Sequence, residues 1–126
     1  MAHALGYLLV FIGGGVGAVA RHGVNRAGLA LLGPGFPWWT VAVNVLGSFL
    51  IGLLAGMFGA METGHNTRLF LVTGFLGGFT TFSAFSLDAL TLWERGAMLH
   101  AGLYVTGSVI ASLIAVVAGL MISRLI

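Results

Sequence analysis

Gly74-Phe-Leu-Gly-Gly-Phe-Thr-Thr-Phe-Ser-Ala-Phe-Ser86 lies inside an apolar segment long enough to cross a membrane. The pair Gly77-Gly78 interrupts the helical pattern near its middle, and hydroxyl residues alternate with phenylalanines just after it. In lipid, irregular backbone is tolerated only where protein buries it or where it lines a water-filled path. A broken membrane helix edged with Ser, Thr and Phe therefore predicts a small-ion site at mid-membrane depth.

The rest of the chain agrees with a membrane setting. Of its 126 residues, 59% are hydrophobic and 6% charged, against roughly 25% charged in a soluble domain. Such a chain cannot cover its surface with polar groups. Five Arg, no Lys and three acids give a net charge of +2, too sparse a footprint for nucleic acid. With no Cys, disulfides and thiolate metal sites are excluded. Met1-Ala-His-Ala-Leu5 lacks the charged region and cleavage site of a signal peptide, so the first apolar segment is expected to stay.

A helix needs about 20 mainly apolar residues to cross the hydrocarbon. The expected spans run over about 5–32, 40–60, 68–92 and 97–122, in a single domain covering 1–126. Gly33-Pro-Gly-Phe-Pro37 forms the first turn. Trp38 and Trp39 follow it as an interfacial belt. Residues Met61–Thr67 form a polar loop, and Trp93–Gly96 the next interface.

Arg68 and Arg124 fall on the side of the termini, and Arg26 and Arg95 on the other. The positive-inside rule needs an asymmetry, and this count is balanced. Either a single Arg decides the orientation, or copies insert both ways.

Many of the 21 glycines recur at small-xxx-small spacing, as in Gly13/Gly17, Ser48/Gly52/Gly56, Gly74/Gly78 and Gly107/Ala111/Ala115. In lipid, close backbone approach over small residues is what joins helices. So many small faces on four short spans predict an oligomer. Gly13-x-Gly15-x-x-Ala18 is no dinucleotide fingerprint, because it lacks a preceding strand and an acid about 20 residues on.

Thr40, Asn44 and Ser48 share one face of the second span at i, i+4, i+8. Asn44 either makes an interhelical hydrogen bond or donates to an anion. Tyr104, Ser108 and Ser112 form a second hydroxyl stripe, which either lines a wet path or bonds to its own helix. Phe82 and Phe85 share a face of the third span. They pack, or they turn positive ring edges toward an anion. Arg21 lies deep in the first span, a functional position by default, while Arg26 snorkels to the interface. Asp88 pairs with Arg21 or caps a pore mouth. His3, His22, His65 and His100 lack ligand spacing. No nucleophile–base pair or carboxylate dyad is visible, so the chain does not read as an enzyme.

Together these motifs resemble the Fluc family of bacterial fluoride channels, also called CrcB. The resemblance is carried by Gly14-Gly-Val-Gly-Ala-Val-Ala-Arg21, by Thr40-Val-Ala-Val-Asn-Val-Leu-Gly-Ser-Phe-Leu-Ile-Gly52, by Gly74–Ser86 and by the Tyr104/Ser108/Ser112 face. His22 is a small departure, since many members place Tyr after the Arg. The resemblance implies an all-α membrane protein with four transmembrane helices, the third broken mid-membrane. It implies an antiparallel, dual-topology homodimer in the bacterial inner membrane, with two fluoride pores. Phe82 and Phe85 would form an aromatic box, with Asn44 donating to fluoride. Ser108 and Ser112 would belong to a polar track, and Tyr104, Thr81 and Thr40 would line the path. Arg21 would stand near an aqueous vestibule. A structural Na⁺ would be held at the dimer centre by the carbonyls of Gly77 and Thr80. The rival readings are a small dual-topology multidrug exporter, which needs a carboxylate in its first span, and a non-transporting membrane assembly factor.

Overall fold

A computed structural model of the chain describes residues 2–59 and 64–126. Those residues are helical throughout apart from short connections. Helix α1 covers Ala2–Leu32 and α2 covers Trp38–Gly59. The third apolar stretch is composite. It runs as α3 (His65–Arg68), a π-helix (Leu69–Leu76), α4 (Gly77–Phe79) and α5 (Ser83–Glu94). Helix α6 covers Met98–Ser123. Among the described residues, four helical stretches, of 30, 22, 30 and 26 residues, are long and apolar enough to cross a membrane. At about 1.5 Å rise per residue even the shortest exceeds the hydrocarbon thickness. Residues 60–63, which include Glu62 and the start of the expected polar loop, lie outside the described residues.

The helix ends follow from the connecting sequences. Gly33 takes a left-handed conformation (φ 76°) and returns its N–H to Leu29 O, closing α1. Pro37 then starts α2, its carbonyl accepting from Thr40 and Val41 N–H. Gly96 (φ 80°) closes α5 with two bonds, Gly96 N–H to Trp93 O and Ala97 N–H to Leu92 O. That pair is the Schellman arrangement.

The third stretch departs from the expected weak point. Gly77 is helical (φ −61°, ψ −38°), and the backbone leaves helical geometry at Thr80 (φ −84°, ψ 159°). The glycines serve another purpose. A Cβ on Gly78 would collide with Gly14 O, and Cβ atoms on Gly13 and Gly17 would collide with the carbonyls of Phe70 and Phe75. These glycines let α1 lie backbone to backbone against the third stretch. The α2–α6 contact is built the same way, with Gly52 against Val116 O and Gly119 against Phe49 O. Gly107 faces open space instead of a neighbouring helix.

Little of the chain is buried inside itself. No more than 17% of any spanning window is buried. Large apolar side chains such as Tyr7, Phe11, Leu31 and Leu113 stand exposed. This is the surface of a multi-pass membrane protein.

Candidate functional site

The site is built where α2, the third stretch and α6 converge on the departure at Thr80. Asn44 fixes that departure. Its Oδ1 accepts the Thr81 N–H at 2.8 Å, and its Nδ2 donates to Thr81 O at 3.0 Å. Both backbone groups of a non-helical residue are thereby satisfied by one side chain. A carboxamide has two N–H donors, so one remains beyond this pair. Of the two readings left open for Asn44, the interhelical bond is made.

Three further contacts shape the turn. Thr80 Oγ1 donates to Leu76 O at 2.8 Å, beside the Thr80 N–H bond to the same carbonyl at 3.0 Å. Thr81 Oγ1 accepts the N–H of Ala84 at 3.1 Å, which caps the start of α5. Gly47 is buried against Thr80, and a Cβ there would collide with Thr80 Cγ2.

A cavity of about 450 Å³ opens beside this turn. Its wall brings together Asn44, Gly77, Thr80, Thr81, Phe82, Phe85, Ser108 and Ser112. These residues come from three separate spans and share the wall with apolar residues such as Ile51, Val72, Leu76, Val109 and Leu113. Phe85 is buried, whereas Phe82 is 80% exposed at the open side. Their ring centroids are 5.7 Å apart and tilted by 49°. Ser108 is buried, and its Oγ has no hydrogen-bond partner among the described residues. An unsatisfied buried hydroxyl costs about 1–3 kcal/mol. Ser108 thus keeps an unused donor within a residue that lines the cavity.

Thr40 and Tyr104 lie elsewhere. Both are almost fully buried, and both donate to Asp88 Oδ2, at 2.7 Å and 3.0 Å. The Tyr104 ring stands 5.2 Å from that of Phe85 and meets Phe36 edge-on at 5.5 Å. This network adjoins the cavity without forming its wall. Arg21 is on the far side of the third stretch, where its Nε donates to Gly78 O at 3.0 Å. Asp88 and Arg21 therefore have separate partners. No local pattern selects the partners of Asp88, because they come from other spans. Ser48 also lines the cavity. Its signal was present, one turn on from Asn44 along the same face.

Residues 8–120 match the family described as CrcB-like protein, Camphor Resistance (CrcB). The chain is 53% identical to the fluoride-specific ion channel FluC of Sphingopyxis alaskensis over 116 residues, covering 91% of this chain and 92% of that protein. The protein of the same name from Mesorhizobium japonicum is 51% identical over 117 residues, with 93% and 94% covered. That from Rhodopseudomonas palustris is 53% identical over 122 residues, with 95% and 98% covered.

Proposed function

The chain belongs to the CrcB family, and from that premise we propose that it is a passive, fluoride-selective channel that exports cytoplasmic fluoride. Its relatives carry the name of an ion channel, which is a non-enzymatic function. The observation that carries the reading is the cavity wall. Donors from Asn44, Thr81, Ser108 and Ser112 meet the Phe82 and Phe85 rings there, with the Ser108 hydroxyl buried and, among the described residues, unpartnered.

The chemistry suits a small, strongly hydrated anion. Hydrogen fluoride is a weak acid that crosses bilayers neutral and dissociates in a less acidic cytoplasm. The trapped anion then needs a route out. Hydroxyl and amide donors replace part of its hydration shell, and ring edges carry partial positive charge. None of these groups holds a full opposite charge. The anion can leave as well as enter, which conduction requires. A chloride ion, larger and less strongly hydrated, gains less from so few donors in a narrow passage.

Phe82 and Gly77 both line the cavity and both are exposed. We read this exposed face as covered by a second, antiparallel copy, giving two pores per homodimer in the bacterial inner membrane. The balanced Arg count supports dual topology. The family reading also brings a structural Na⁺. The fit rests on carbonyl groups: among the described residues, those of Gly77 and Thr80 accept no hydrogen bond. Unpaired carbonyls are costly in a membrane, and a monovalent cation suits neutral oxygen ligands. Gly77 and Thr80 of both copies would hold it at the dimer centre, where it satisfies their dipoles. The departure from helix would then lie at mid-membrane depth.

A multidrug exporter fits less well, since α1 contains no carboxylate. An assembly factor leaves the buried Ser108 hydroxyl without a purpose. Reconstitution into liposomes tests the proposal. Voltage-driven fluoride efflux, read with a fluoride electrode, is expected without comparable chloride efflux. Equal chloride efflux, or dependence on a proton gradient, would overturn it.

A further inference from the structure

The carbonyls near the departure at Thr80 have different partners. Leu76 O takes two donors from Thr80, and Thr81 O is held by Asn44 from α2. Gly78 O is reached from α1, by Arg21 Nε. Gly78 is thus gripped from α1, whereas Gly77 and Thr80 line the cavity.

The grip follows from how α1 docks. Gly13, Gly17 and Arg21 recur at i, i+4, i+8, so they share one helix face. The two glycines lie against the carbonyls of Phe70 and Phe75, and Gly78 lies against Gly14 O. Backbone contact at this level fixes how far the Arg21 side chain must reach. Gly78 belongs to the last turn before Thr80 leaves helical geometry. Carbonyls at a helix C-terminus carry partial negative charge, and a cationic donor is favourable there. The bond uses the inner nitrogen of the guanidinium. Among the described residues, its outer amino groups have no hydrogen-bond partner.

We propose that Arg21 is a positioning residue: its Nε–H holds the Gly78 carbonyl on the α1 side, so that the Gly77 and Thr80 carbonyls are presented to the cavity side. This differs from attraction of anions by its charge. The two roles predict opposite rankings of two substitutions. In Arg21→Gln, the side-chain amide nitrogen stands the same number of bonds from Cα as Nε, so the donor stays and the charge is lost. In Arg21→Lys, the charge stays, but a methylene takes the place of Nε and the donor moves one atom outward. Arg21→Met removes both donor and charge.

The test uses the full-length protein in liposomes, with two readouts. The first is the assigned carbonyl carbon resonance of Gly78 in magic-angle-spinning NMR. The second is fluoride flux against fluoride concentration, and this readout alone rests on the channel reading. Arg21→Gln should keep the Gly78 resonance in place and retain the highest maximal flux of the three variants. Its half-saturating fluoride concentration should rise. Arg21→Lys and Arg21→Met should move the resonance and lower maximal flux by about tenfold, the loss of one charge-assisted hydrogen bond. The proposal fails if Arg21→Lys retains maximal flux while Arg21→Gln loses it, or if the resonance stays in place in Arg21→Lys. Should Arg21→Met not assemble, the Gln–Lys ranking still decides. Absence of flux in the parent protein would count against the channel reading, and the resonance would still decide the role of Arg21.

Discussion

Two neighbouring polar clusters in this molecule are built on opposite terms. In the first, Asp88 accepts from both Thr40 and Tyr104, and the two hydroxyls are spent on a partner within the chain. In the second, one helical turn on along α6, the Ser108 hydroxyl is also buried but has no partner among the described residues. The first cluster joins α2, α5 and α6 and contributes to stability. The second leaves hydrogen-bonding capacity open toward a cavity. Burial alone does not separate the two, since all three hydroxyl residues are nearly inaccessible. What separates them is whether the donor has already found an acceptor.

The sharpest way to break this contrast is at Asn44, which serves both sides. Its amide satisfies the Thr81 backbone and faces the cavity. In Asn44→Asp, an acceptor would confront the Thr81 carbonyl, and a buried negative charge would oppose an anion. Fluoride efflux from liposomes should fall by about a hundredfold, combining an unpaired buried group with charge repulsion.

Asp88→Ala should come next, and as a stability effect. It leaves the Thr40 and Tyr104 hydroxyls without their acceptor, at about 2 kcal/mol or more. A lower midpoint in thermal unfolding of the purified protein is the expected result. An unchanged midpoint would mean that the network is ornamental.

Phe82→Ile and Phe85→Ile keep apolar bulk and remove the ring edges. Each should cut flux by about tenfold, the value of an aromatic contact of roughly 1 kcal/mol or slightly more. Size-exclusion chromatography should find the assembly intact. Near-parental flux in both variants would return the pair to simple packing.

Ser108→Ala should give the smallest effect and the most telling. Among the described residues nothing pairs with its hydroxyl, so removing it should leave stability unchanged or raise it. Flux should nonetheless drop several-fold. If stability drops instead and flux holds, Ser108 has an internal partner and belongs with the first cluster.

Much of this was legible in the sequence, and what was hidden has a common cause. The apolar stretches and the turns at Gly33 and Gly96 announce themselves locally, through length, proline and glycine. The cavity wall was legible because Asn44, Phe82/Phe85 and Ser108/Ser112 each form a stripe at helical spacing. The point of departure in the third stretch lies at Thr80, just past the Gly77-Gly78 pair that reads as the weak point in the sequence. Glycine permits a departure without requiring one. Here Gly78 is needed for close approach to α1, while the Asn44 amide captures Thr81 from another helix. The partners of Asp88 and Arg21 are likewise long-range, and no local pattern encodes them. Nor does Leu69-Phe-Leu-Val-Thr-Gly-Phe-Leu76 differ in composition from ordinary apolar helix, although it is π-helical.

That π-helical stretch bears on how this gene can change length. A π turn accommodates one residue more than an α turn, and Gly77 N–H accordingly reaches back to Val72 O. Each residue of an α-helix rotates the following face by about 100°. Deleting one residue between Leu69 and Leu76 would let the stretch relax to ordinary α-helix. The tighter winding would take up the lost residue, so Gly78 would stay beside Gly14 and Thr80 and Phe82 would keep roughly their face toward the cavity. A single-codon deletion here should therefore be better tolerated than one in α2 or α6, where no π turn can absorb it and every later face would turn by about 100°. The outward-facing positions of the same stretch can drift in identity, and their number can fall by one.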